Sequence, residues 1–259
     1  MLLKDKVVIV TGVGPGMGRK LAVEAAKEGA KVALSARSQG FLEEVLHEIR
    51  EAGGEAIAVK TDVAESEQCE ALAQRTLDAF GRIDGLVNSA YKLATFTSFE
   101  EDAIEAWAAN YNVTCLGALR MTKAVMPTMK KQRSGAIVNI TALAAVQPAA
   151  GQFDYAAAKA ALESATRSLA KELGPYNVRI NCTRMGWLWG APLQGYFAGQ
   201  AQTTGLPEQQ FVDQVASRIA LGVIPPDEEC ARTALLFVSD YTRMVTGATL
   251  NVNGGEFFM

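Results

Sequence analysis

Histidine is nearly missing from this chain: one residue, His47, in 259. A histidine-based triad or a zinc site needs more than that, so neither is expected, and no metal is expected. Cysteine is sparse as well. Cys69, Cys115, Cys182 and Cys230 lie far apart in no metal-like spacing, as inert thiols of a reducing cytosol would. No apolar run approaches the ~18 residues of a membrane span. The start, MLLKDKVVIVTG, enters a strand without the apolar core and cleavage site of a signal peptide. Charge is balanced at a net −3 with no run of one sign, which leaves no footprint for nucleic acid. Repeats and low-complexity linkers are absent too. The expectation is a cytoplasmic protein with one domain over residues 1–259, and 49% hydrophobic content supplies a full core.

What is present alternates. Lys6 to Thr11, Lys31 to Ala36, Ala56 to Thr61, Gly85 to Asn88, Gly135 to Ile140, Val178 to Cys182 and Ala248 to Val252 read as short strands, several of them apolar throughout. Continuous apolar strands are those covered on both faces. Helical patterns separate them: through about Glu28, Phe41 to Ala52, Ser66 to Phe80, residues 103–131 as one long helix or two, Gln152 to Lys171, and Glu228 to Val238. Strand-helix alternation predicts an α/β fold with an open parallel sheet and helices on both faces. Residues 184–226 break the rhythm, with only Phe211 to Leu221 looking helical.

The first strand runs into Gly12-Val13-Gly14-Pro15-Gly16-Met17-Gly18 and then a helix. Glycines in that context let the backbone turn tightly and approach a pyrophosphate, whose charge sits on the helix N-terminus. Gly12, Gly16 and Gly18 carry the pattern, with Gly14 and Pro15 as spacer. The second strand ends Ser35-Ala36-Arg37-Ser38, without the acid that would hold an NAD ribose. Arg37 is suited to a 2′-phosphate instead. This favours NADP(H), with NAD(H) the alternative. Asp62 and Val63, after the third strand, are expected over the adenine; Asp62 is equally suited to an N-cap.

Tyr155 and Lys159 stand four residues apart in an Ala-rich helical stretch, so phenol and ammonium share a face. A lysine cation beside a tyrosine favours the phenolate and lowers its pKa from about 10. Such a phenol can give or take the proton of an alcohol or carbonyl while hydride moves elsewhere.

Together TGVGPGMG at 11–18, Tyr155 with Lys159, and TGATLNVNGG at 246–255 resemble the short-chain dehydrogenase/reductase family, over essentially the whole chain. The resemblance implies a Rossmann-type doubly wound sheet of about seven parallel strands. It also implies a nicotinamide cofactor, a homotetramer or homodimer, and hydride transfer between a ketone and a secondary alcohol. Tyr155 would be the acid/base, and Lys159 would hold the nicotinamide ribose. Asn88, Ser89, Ala90 and Gly186 fall at the family's cofactor-contact positions.

Five departures stand out. The family's substrate-binding serine, thirteen residues before the tyrosine, is Ala142. Losing one such donor costs about 10²–10³ in rate. Neighbouring Thr141 points to the other strand face and substitutes only if the strand bulges. The family's water-holding asparagine is Thr114, with Asn110 and Asn112 expected on other helix faces. The glycine that usually ends the Asn-Asn-Ala-Gly run is Tyr91. The usual Pro-Gly is Met185-Gly186, and the threonine after it is Gly190.

A substrate lid is expected at about 185–225, with Met185, Trp187 and Trp189 together with Tyr91 and Leu143 lining an apolar pocket. Trp187 and Trp189 suit core packing as well. Three functions follow from this mixture. The first is an NADP(H)-dependent oxidoreductase of an apolar, cyclic ketone or alcohol, with an altered tetrad of Tyr155, Lys159, Ala142 and Thr114. The second is a cofactor-binding homologue without turnover. The third is a reductase of an imine or activated double bond, in which Tyr155 is the acid and no oxyanion donor is needed.

Overall fold

The strand β1 (Val7–Thr11, VVIVT) is buried at every position. Val8 and Val10 point into one apolar layer and Ile9 into the other, as the period-two pleat requires. β1 therefore lies inside a sheet covered on both faces. The computed structural model describes residues 1–102 and 104–258. Around β1 lie β2 (Lys31–Ala36), β3 (Ala56–Lys60), β4 (Gly85–Asn88), β5 (Gly135–Ala142), β6 (Val178–Met185) and β7 (Thr249–Val252). All seven pair in parallel, in the order β3-β2-β1-β4-β5-β6-β7.

Helices α1 (Met17–Lys27), α2 (Gln39–Glu51) and α9 (Asp227–Leu235) cover one face. The other face carries α3 (Ser66–Phe80), α5 (Gly117–Gln132) and α6 (Phe153–Leu173), with α4 (Ile104–Tyr111) packed on α6. Strand order reverses between β1 and β4, and the crevice at the carboxyl ends of such strands is where an open α/β sheet holds its ligand. The expected doubly wound architecture is the one found.

Most boundaries shift by one to five residues from the sequence reading, and three differences bear on the site. β6 runs on to Met185 because it stays paired with β5 through Ala142↔Met185 and with β7 through Met185↔Val252. The expected long helix is α4 and α5 joined by a π-helical turn at Asn112–Leu116; its expected first residue, Ala103, lies outside the described residues. The irregular stretch holds two helices, α7 (Ala191–Thr204) and α8 (Glu208–Ala216). They close on their own small core around Phe197, which is 2% exposed. The rings of Trp187, Trp189, Tyr196 and Phe211 stack around it at 5.8–6.4 Å.

Candidate active site

At the end of β1, Gly12 has φ +71°, and a Cβ there would stand 2.6 Å from the Ala90 backbone. A Cβ on Gly18 would overlap the Gly12 carbonyl, so helix and turn touch backbone to backbone. Gly14 has nothing nearer than 4.0 Å. Helix α1 starts at Met17 with Gly16 as its N-cap, no side-chain cap and no acid in the first turn. The Arg19 amide donates back to the Gly16 carbonyl at 3.1 Å, and the Met17 and Gly18 amides ahead of it are the donor set an anion needs. Thr11 Oγ1 accepts from the Ser89 and Ala90 amides at 3.1 and 3.4 Å, tying β4 to this turn. Asn88 donates to Asn139 at 2.9 Å, and Asn139 to Thr166 at 2.8 Å, so the tie continues through β5 to α6.

Asp62 accepts from the Ala64 amide at 2.9 Å and its own amide donates to Gln68, so its carboxylate caps a turn before α3, and Glu65 is the N-cap. Val63 is buried against Gly117. Arg37 is exposed just beyond β2, and no described side chain pairs with it. A glycine cradle, a bare helix N-terminus and a free cation one strand away fit a phosphorylated dinucleotide.

The reacting end lies where β5 stops and α6 begins. Lys159 is 2% exposed and donates to the Ile140 carbonyl at 2.6 Å. Burial pulls its pKa down to about 8, against the opposing pull of Cys182, Cys115 and Glu163. Its ammonium stands over two phenol rings, 5.5 Å from the Tyr155 centroid and 5.6 Å from that of Tyr91. The expected lowering of the tyrosine is not found. Tyr155 is pushed above its ordinary value, first by burial and then by the neighbouring Tyr91. The reason is geometric: Lys159 faces the ring and spends a proton on Ile140, while burial penalises the phenolate.

Ala142 closes β5 in extended conformation, φ −140° and ψ 156°. There is no bulge to turn Thr141 round. The Thr141 hydroxyl points away, donating to Glu163 at 2.9 Å and lying 3.2 Å from the Thr183 carbonyl. It is not a replacement for a serine at 142. Glu163 is itself held by Arg184 at 2.7 Å, both side chains almost fully buried.

Thr114 is buried and its hydroxyl is committed: it donates to Asn110 at 2.8 Å and accepts from the Lys92 amide at 3.0 Å. Asn110 shares the face of Thr114 after all, because a four-residue step is about one helical turn. Its amide donates to Asp154 and to the carbonyls of Lys92 and Leu93 at 2.9–3.3 Å. Asn112 points elsewhere, to Arg120.

Of the residues expected in the pocket, Tyr91 is 49% exposed and meets Tyr155 edge to face, centroids 5.9 Å apart. Leu143 is partly exposed in the turn after β5. Met185 is buried in the core, and Trp187 and Trp189 lie against Phe197. Gly186 is backed by Asn253 and Glu256, and Gly190 by the Asp227 carboxylate, which fills the space a side chain there would need. Sequence reasoning misplaced Asn110 and missed Asp154 and the Glu163–Arg184 pair. Arg184 lies in VRINCTRM, a strand buried at seven of its eight positions, and a cation on such a strand needs a buried carboxylate partner, the signal that would have found the last.

The sheet order, the glycine turn at its switch point and a Tyr–Lys pair beside it define a dinucleotide-binding oxidoreductase. The short chain dehydrogenase family matches residues 6–194, and the chain belongs to that family. It is 35% identical over 99% of its length to an L-rhamnose 1-dehydrogenase (NAD(P)(+)) of Azotobacter vinelandii, 98% of which is covered. It is 34% identical over 98% of its length to a 3-oxoacyl-[acyl-carrier-protein] reductase of Synechocystis, covering 97% of that chain. Among solved structures it resembles levodione reductase, with a TM-score of 0.89, 27% identity and 98% of each chain covered. An actinorhodin polyketide ketoreductase variant solved with NADPH has the same TM-score at 28% identity, with 97% of each chain covered.

Proposed function

We propose that the protein is an NADP(H)-dependent oxidoreductase acting on an apolar, cyclic ketone or secondary alcohol. The observation that carries this is the Tyr155 phenol: protonated at neutral pH, hydrogen-bonded by no described group, and standing beside buried Lys159 at the carboxyl end of β5. The nicotinamide supplies or accepts the hydride. Tyr155 gives its proton to the carbonyl oxygen in reduction and takes it back in oxidation. Its raised pKa favours the acid role, and with it reduction near neutral pH. Lys159, fixed on Ile140, holds the ribose and keeps a positive charge near the phenol below about 8. The glycine turn and the α1 N-terminus hold the pyrophosphate, Asp62 and Val63 border the adenine, and Asn88, Ser89, Ala90 and Gly186 wall the nicotinamide side. Arg37 binds the 2′-phosphate. Tyr91 and Leu143 give the substrate an apolar wall, and Trp187 and Trp189, packed on Phe197, shape the lid behind it. Four buried free cysteines suit a reducing, cytoplasmic location.

The Ala142 methyl group favours a second reading, reduction of an imine or an activated double bond, since nitrogen and carbon need no oxyanion donor. A nucleotide-binding role without turnover is the third.

The test is a titration of protein fluorescence with NADPH and NADH, followed by turnover of cyclic ketones and imines by the wild type and Tyr155→Phe. NADPH should bind tighter than NADH. Arg37→Ala should weaken NADPH alone, by roughly ten- to a hundredfold for a lost charge-assisted contact. Tyr155→Phe should abolish ketone reduction with NADPH affinity unchanged. Full activity in that variant would remove Tyr155 as the acid. Tight NADPH binding with no turnover of either substrate class would assign the non-catalytic role.

A further inference from the structure

We propose that Tyr91 is a catalytic residue: its hydroxyl donates the hydrogen bond to the substrate carbonyl oxygen that the Ala142 position does not supply. The inference rests on the oxidoreductase reading above and deepens it.

Three observations converge on this residue. First, the neighbouring alternatives are spent or incapable. Ala142 carries a methyl group, and the Thr141 hydroxyl is tied to Glu163 on the opposite strand face. Thr114 is consumed by Asn110 and Lys92. Second, Tyr91 faces the acid directly. Its ring meets Tyr155 edge on at 5.9 Å, and the Lys159 ammonium lies about equally far from both rings. The two phenols are near enough for Tyr91 to raise the pKa of Tyr155. No described group hydrogen-bonds the Tyr91 hydroxyl, and half of the residue is open to solvent. Burial of the rest raises its own pKa, so it stays a neutral donor at working pH. Third, Tyr91 is held in place. The next residue, Lys92, is clamped at both backbone ends: its amide donates to Thr114 and its carbonyl accepts from Asn110. Asn110 also donates to the Leu93 carbonyl and to Asp154, one residue before Tyr155. One buried network thus fixes the Tyr91 segment against the start of the Tyr155 helix. A donor fixed before the reaction needs no reorganisation when charge develops on the oxygen.

The chemistry balances without change at Tyr91. Hydride from NADPH adds to the carbonyl carbon, the C=O π electrons move to oxygen, and the Tyr155 proton completes the alcohol. Tyr91 keeps its proton and only stabilises the oxygen as it becomes negative.

The experiment uses menthone, an apolar cyclic ketone, with the full chain. Two readouts are taken: NADPH-dependent reduction, and binding of menthone to the unreactive NADP⁺ complex by calorimetry. Tyr91→Phe should lower kcat by about 10²–10³, the cost of one oxyanion donor, with NADPH affinity unchanged. It should weaken menthone binding to the NADP⁺ complex by roughly three- to tenfold, as a neutral hydrogen bond does. Adding Ala142→Ser to Tyr91→Phe should recover at least tenfold of the lost rate, a rescue that a merely structural Tyr91 would not allow. Tyr91→Phe with unchanged kcat and unchanged binding overturns the proposal while Tyr155→Phe, still inactive, leaves the oxidoreductase reading intact. Loss of rate with weakened NADPH binding and no rescue by Ala142→Ser overturns it as well. A wild type that neither reduces nor binds menthone overturns the cyclic-ketone reading and this inference together.

Discussion

At the scale of single residues, the site is built from buried groups whose charged forms are expensive. Lys159 is the clearest. Its folded pKa, about 8, lies below the ordinary lysine value of 10.5. The unfolded chain therefore binds a proton that the folded chain releases, and stability rises with pH between those two values. Below about 8 the folded protein carries a buried ammonium, at a cost on the order of 3 kcal/mol for such a shift. Lys159→Met removes that cost and loses a hydrogen bond to Ile140 worth about 1 kcal/mol. The variant should be inactive yet melt several degrees above wild type at pH 7, and the difference should shrink as pH climbs from 8 toward 10.5. Calorimetry across that range checks it, and a variant less stable at pH 7 would show that the ammonium is solvated. The Tyr–Lys pair was legible in the sequence because i and i+4 on one helix need no tertiary information. The sign of the tyrosine shift was not, because it depends on which part of Tyr155 the lysine faces and on how deeply both are buried.

At the scale of elements, the lid is the part that stands apart. Its two helices pack mainly on one another, and Phe197 is the ring that four aromatic neighbours share. Truncating a buried phenylalanine costs about 3–5 kcal/mol. In Phe197→Ala that loss should fall on residues 191–216 and spare the sheet. Hydrogen exchange should show protection lost there and kept in β1, β4 and β5, with KM for substrate raised more than kcat is lowered. Unchanged protection in α7 and α8 would mean the sheet, not Phe197, holds the lid. This element also shows where reading from sequence ran out. α7 contains Pro192, Gly195 and Gly199 among Gln and Thr, and it has no apolar stripe to reveal a helical period. Its helix comes from a single anchored ring. The strands, the glycine turn and α6 carry their periods openly and were read within a few residues. The Asn110–Thr114 pair was misplaced although its spacing was in plain view.

At the scale of the whole molecule, apolar side chains remain on the surface around the last strand. Met244 is 94% exposed, Tyr241 84% and Phe258 78%. Exposed apolar residues are ordinary on a protein surface. The family resemblance alone carries the expectation of a homotetramer, with a homodimer as the smaller alternative. Light scattering behind a sizing column should give a particle about four times the mass of the chain. A particle of one chain's mass at micromolar concentration would refute association. Assembly of this kind would cover β7 and the C-terminal residues that back Gly186.

The π turn between α4 and α5 has a bearing on how this chain tolerates length changes. A π turn amounts to one residue inserted into an α-helix. Deleting one residue from 112–116 would let the helix close into α geometry with α4 and α5 still in phase, because five π residues sweep about the angle of four α residues. A deletion in the first turn of α5 has no bulge to absorb it and would turn Asn110 by about 100° away from Lys92 and Asp154, so the Tyr91 loop would lose its clamp while both helices stayed intact. In this stretch the reading frame of the side chains, more than their identity, is what the site depends on.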